Sequence, residues 1–147
     1  MVPSVSITSM PGAEAIARST GGALAGAGLA ELSARAARRV PGARQVMLYA
    51  AGLAIAAAIY PAARRRWRLD RSSAGELLGV IGYGIASVLA TRHPRPRATR
   101  LLAAGWASHA LFDAAHGHDD GSRLPRGYPA LCAGYDLVLC GHLARAA

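Results

Sequence analysis

Lysine is absent from this chain; all 17 basic residues are arginine. Large apolar rings are almost absent too, with one Phe and two Trp. A water-soluble core spread over 147 residues needs more large side chains than that. Cysteine is sparse as well. Cys132 and Cys140 fall on one helix, ~12 Å apart along its axis, too far for a disulfide. No basic stretch precedes the small-residue segment 21–32, so that segment lacks the form of a signal peptide. The chain also carries no GxSxG, Walker, HExxH or dinucleotide-binding signature, which excludes the enzyme classes those motifs define.

What is present is strongly segregated. Hydrophobic residues make up 52% of the chain, and the formal charge is +9. The arginines gather as Arg35, Arg38, Arg39 and Arg44; as Arg64, Arg65, Arg66, Arg68 and Arg71; and as Arg92, Arg95, Arg97 and Arg100. Each cluster adjoins an apolar run of helix length. That is where topology-setting charges sit in membrane proteins and where they meet anionic lipid headgroups. A nucleic-acid domain concentrates its charge on one face instead, so no nucleic-acid partner is expected. Abundant Ala and Arg without Lys suggests a GC-rich, bacterial coding sequence, and hence an inner-membrane protein.

Four spans are expected. Residues 45–63 carry no charge and are long enough to cross a ~30 Å hydrocarbon core. The others are 74–91, 98–117 and 127–144. Proline separates the second from the third at His93-Pro94-Arg95-Pro96, and Pro125 and Pro129 flank the start of the fourth. The fold expected is an antiparallel four-helix transmembrane bundle over 45–147. Residues 1–44 form a weakly ordered arm or surface helix, because Glu14, Arg18, Glu31 and Arg35 interrupt any spanning run. Deleting that arm is expected to leave insertion intact. Arginine bias between loops favours both termini in the cytoplasm. Gly75, Gly79 and Gly82 form a smooth stripe of the kind that lets helices approach closely, within a chain or between copies.

The chemistry sits in the last two spans. His109, Asp113 and His116 are spaced four and three, so they share one helical stripe. Ionisable groups inside a span are costly and usually face the bundle interior. Asp136 lies near the middle of the next span. Counted inward from the intervening loop, His109 and Asp136 are equally deep, ~12 Å, and are expected to face each other. Asp113 shares its depth with Cys132, near Tyr128 and Glu76; Tyr135 is a secondary donor for Asp136.

Three readings fit these residues. They form a structural clasp of His–Asp and Tyr–Asp hydrogen bonds. Alternatively, they hold a divalent metal such as zinc at His109, Asp113, His116 and Asp136 for membrane-embedded hydrolysis. The third reading is a proton or ion relay. His109 and His116 lie ~10.5 Å apart along the axis, so one ion does not take both. His118, Asp119 and Asp120 extend the set into the loop or form a solvated turn there. Trp106 is a packing residue, and His142 lies off this face.

The pattern Gly105-Trp106-x2-His109-x3-Asp113-x2-His116, followed by Pro125-x2-Tyr128-Pro129-x2-Cys132-x2-Tyr135-Asp136, resembles a family of small bacterial integral membrane proteins of uncharacterised role. That resemblance implies a helical membrane fold and no particular activity. The His/Asp set is also loosely similar to membrane zinc hydrolases of the ceramidase type, which have seven spans and ligands spread over more helices than this chain has.

Overall fold

The computed structural model describes residues 11–40, 42–66, 70–116 and 121–147. Within them the chain is all-α, with five helices and no strand. The helices are α1 Pro11–Ala37, α2 Ala43–Ala63, α3 Arg71–Thr91, α4 Arg95–His116 and α5 Tyr128–Arg145.

Local chemistry accounts for most boundaries. Gly42 takes φ 56°, a left-handed turn that glycine enters without a Cβ penalty, and it delivers the chain from α1 into α2. Asp70 opens α3 through a reciprocal cap. Its carboxylate accepts from the Ser73 N–H at 2.9 Å, and the Asp70 N–H donates to the Ser73 hydroxyl at 3.0 Å. These Ser73 donors hold the Asp70 carboxyl below the ordinary aspartate range. Pro96 and Pro129 lie in the first turns of α4 and α5, where no amide donor is missed.

The polypeptide alternates direction between the two ends of the bundle. At one end the α2–α3 and α4–α5 connections are tied together. Arg65 N–H donates to the Gly121 carbonyl at 3.0 Å, and Arg123 N–H donates to the Ala63 carbonyl at 2.9 Å. This end carries the start of α5; the opposite end carries the start of α2 and α4.

Helix α1 falls in the segment expected to be a weakly ordered arm or surface helix, and it packs along the bundle as a fifth helix beside the four expected. Among the described residues the most extensive helix seam joins α1 to α5. A Cβ on Gly26 would run into the Leu131 backbone, and one on Gly134 would run into the Ala23 backbone. Gly22, Gly26, Ala30 and Ala34 recur every fourth residue and form the seam, with both alanines fully buried. The two helices run parallel: Gly22 meets Gly127, Gly26 meets Leu131, and Glu31 pairs with His142. The first described turn of α1 therefore lies at the end opposite the last turn of α5. Small residues, rather than a wide apolar face, dock this helix.

The burial pattern combines an apolar core with buried polar groups and outward-facing large apolar side chains. Leu53, Leu102, Trp106, Leu139 and Leu143 form a modest core. Beside them lie buried Arg64, Ser73, Glu76, Ser87, Thr99, His109, Asp113 and Asp136. Meanwhile Met47, Leu48, Ile55, Leu78, Ile81, Ile85, Val88, Leu111 and Leu137 point outward.

Candidate functional site

Helices α4 and α5 pack side by side and bring their ionisable residues to one level. His109 Nδ1 lies 2.7 Å from Asp136 Oδ2 and 3.4 Å from Asp113 Oδ2. At the shorter distance it donates a hydrogen bond to Asp136. The i,i+4 spacing on α4 sets the His109–Asp113 approach, and equal depth on the neighbouring helix sets the other. All three side chains are buried, and one ligand atom from each lies within 4.8 Å of the others. Tyr83 of α3 packs edge-on to His109 with ring centres 5.0 Å apart, and closes the third side.

The group is incompletely satisfied. Neither oxygen of Asp113 has a hydrogen-bond partner, and His109 Nε2 and the Tyr60 hydroxyl are likewise unpartnered. Asp113 has the 3.4 Å approach of His109 but no well-formed hydrogen bond, and a buried carboxylate so weakly partnered is expensive.

A second polar group lies toward the tied loops. Arg64 holds Glu76 with both forks, Nε–Oε2 at 2.6 Å and the terminal nitrogen to Oε1 at 2.9 Å. The same terminal nitrogen donates to Ser72 at 2.7 Å. His116 Nε2 lies 3.1 Å from Glu76 Oε1. Tyr60 stands between the two groups. Its ring packs edge-on against His116 at 4.7 Å, Phe112 at 5.8 Å and Tyr128 at 6.3 Å.

Several expectations are reordered by this geometry. Glu76 was grouped with Asp113 by depth, but it pairs with Arg64 and His116, because α3 lies on the α2 flank. His116 is separated from His109 by more than a turn and does not join its group. Cys132 and Tyr128 are half-buried at the start of α5, and Tyr135 packs against Trp106 with ring centres 5.9 Å apart. His118, Asp119 and Asp120 lie outside the described residues. Arg64, read from sequence as a boundary charge, is a buried partner instead. His142, set aside from sequence, bonds Glu31 of α1 at 2.8 Å. Only a docked α1 would have revealed that pair.

The stripe of Gly75, Gly79 and Gly82 is left open by its own chain. It lines a mostly apolar groove of ≈ 640 Å³ between α3 and α4, with Tyr83, Ser108 and Phe112 along it. No family model, curated protein or solved structure matches this chain. The site is therefore read from its own residues.

Proposed function

We propose that this chain is a multi-pass membrane protein that holds a divalent metal ion at His109, Asp113 and Asp136. Membrane residence is supported by the outward-facing large apolar side chains and by two helices, Ala43–Ala63 and Arg71–Thr91, long and apolar enough to cross a bilayer. Exposed leucine and isoleucine along α2 and α3 have lipid as their natural neighbour, while the bundle interior takes the ionisable groups.

The observation that carries the metal is the buried Asp113 carboxylate, which has a 3.4 Å approach from His109 but no well-formed hydrogen bond, inside a three-residue group of metal-ligating atoms. A pure clasp accounts for the His109–Asp136 bond but leaves Asp113 with an unmet cost. Charge balance is compatible with an ion: two carboxylates, a neutral imidazole and a dication sum to zero, as do an imidazolium, one carboxylate and one protonated carboxyl without metal. Mixed carboxylate and imidazole ligands suit zinc, manganese or iron. Three protein ligands leave a coordination position for water or substrate, the arrangement of a catalytic rather than a structural site. Bound there, the ion would supply Lewis acidity. The chain itself supplies the dry surroundings and the fixed ligand positions.

The test is metal analysis of protein purified in mild detergent, with Asp113→Asn and Asp136→Asn as comparisons. One equivalent of a divalent ion in the parent, lost in both variants, supports the reading. Metal-free protein whose melting temperature ignores added zinc and manganese overturns it, since an ion bound only to the folded state must raise stability.

A further inference from the structure

We infer that a pocket at the end of the bundle opposite the tied loops binds the phosphate group of an anionic membrane lipid. This rests on the membrane half of the reading above and is independent of the metal. The pocket, ≈ 230 Å³, lies where α2 and α4 begin and α5 ends, and Arg38, Arg95 and Arg145 line it with Gln45, Thr99 and His142. Its size suits a headgroup phosphate and is smaller than the pockets that enclose whole drug-sized ligands.

Three features point to an anion. First, among the described residues none of the three guanidinium groups is paired with a carboxylate; Glu31, the acid nearest in the network, is engaged by His142. Second, Arg95 is pre-positioned. It donates to Gln45 Oε1 at 3.0 Å, and Gln45 is anchored in turn through its amide nitrogen to the Ala37 carbonyl at 3.0 Å. An arginine held in place loses less freedom when it grips a phosphate with its fork. Third, the pocket takes residues from the first turns of α2 and α4, and α2 has no side chain capping its N–H groups. Those helix ends carry partial positive charge. Arg38 and Arg145 also lie at the C-terminal ends of α1 and α5, where the opposite partial charge attracts a cation. That explains their presence but not their convergence with Arg95. A lipid is favoured over a free anion by what adjoins the pocket. Val46 lines it, and the next residues of α2, Met47 and Leu48, face outward, which gives acyl chains an apolar surface directly below.

The experiment uses the full chain in nanodiscs and in detergent. Retention of phosphatidylglycerol is compared with that of phosphatidylcholine by native mass spectrometry. Arg38→Gln with Arg95→Gln removes two of the three pocket arginine charges; Arg97→Gln with Arg100→Gln removes the same charge from outside it. The inference expects selective retention of phosphatidylglycerol, weakened about tenfold by the first pair, as for loss of charge-assisted hydrogen bonds, and little by the second. Equal weakening by both pairs means diffuse attraction and overturns it. Pocket-dependent binding of inorganic phosphate without lipid selectivity overturns the choice of lipid. Recovery of the parent chain from the soluble fraction would instead remove the membrane reading itself. Thermal melts of both variants establish that they are folded.

Discussion

His109 of α4 and Asp136 of α5 meet at 2.7 Å although 27 residues separate them in sequence. Both are withdrawn from solvent, so each depends on the other for its hydrogen bond. Asp136→Ala should therefore strand the imidazole and destabilise the folded protein by about 1–3 kcal/mol, whereas changing both residues to leucine should have a smaller effect. Unfolding in detergent across the double-mutant cycle measures the coupling. Strict additivity would mean that the pair contributes nothing.

The α1–α5 seam makes opposite predictions for glycines a few residues apart. Gly26→Ala forces a Cβ against the Leu131 backbone and should lower stability by about 1–3 kcal/mol, in the range of overpacked sites. Gly28→Ala meets nothing within 4 Å and should stabilise α1 by up to about 1 kcal/mol through helix propensity. Melting temperatures that move in the same direction for both would show that α1 is not held as described. Removal of residues 1–43, expected from sequence to be harmless, should destabilise the remainder by uncovering Gly134.

Glu76 is held by both forks of Arg64 and touched by His116. Glu76→Gln leaves the guanidinium buried beside a neutral amide. The expected loss is about 2–4 kcal/mol, as for other buried pairs deprived of one charge. Chemical denaturation at fixed detergent concentration reads it directly, and an unchanged midpoint would contradict the pairing.

Asp70 supplies the pH dependence. Its folded pKa lies below the ordinary aspartate value, so its capping contribution is complete above about pH 3.9, that value in model peptides. The contribution fades as pH falls through the depressed folded value. Asp70→Asn keeps a capping acceptor and should remove this acid-side decline. Helicity followed by circular dichroism between pH 6 and pH 2 compares the two.

Much of the helical layout was legible in sequence, and the reasons differ by element. For α2 and α3, apolar runs between arginine clusters marked the helices, and Pro94, Pro96, Pro125 and Pro129 marked the breaks before α4 and α5. The His109–Asp136 encounter followed from helical rise alone, since both were counted from one short loop. What escaped notice depends on shape rather than hydropathy. Segment 21–32 lacks large apolar residues, and that deficiency is what permits backbone contact with α5. Glu76 was assigned the right depth but the wrong neighbour, because depth along a helix says nothing about which flank of the bundle the helix occupies. Arg64 was indistinguishable from its neighbours Arg65 and Arg66 until the loop geometry turned it inward.

The parallel seam also bears on biogenesis. Gly26 and Gly134 are separated by most of the chain, and synthesis proceeds N-terminus first at roughly 5–20 residues per second. The glycine face of α1 is thus finished about 5–20 s before its partner on α5 exists. Through that interval the α5 half of the seam does not yet exist, so α1 can take its native place only after nearly all of the chain has been made.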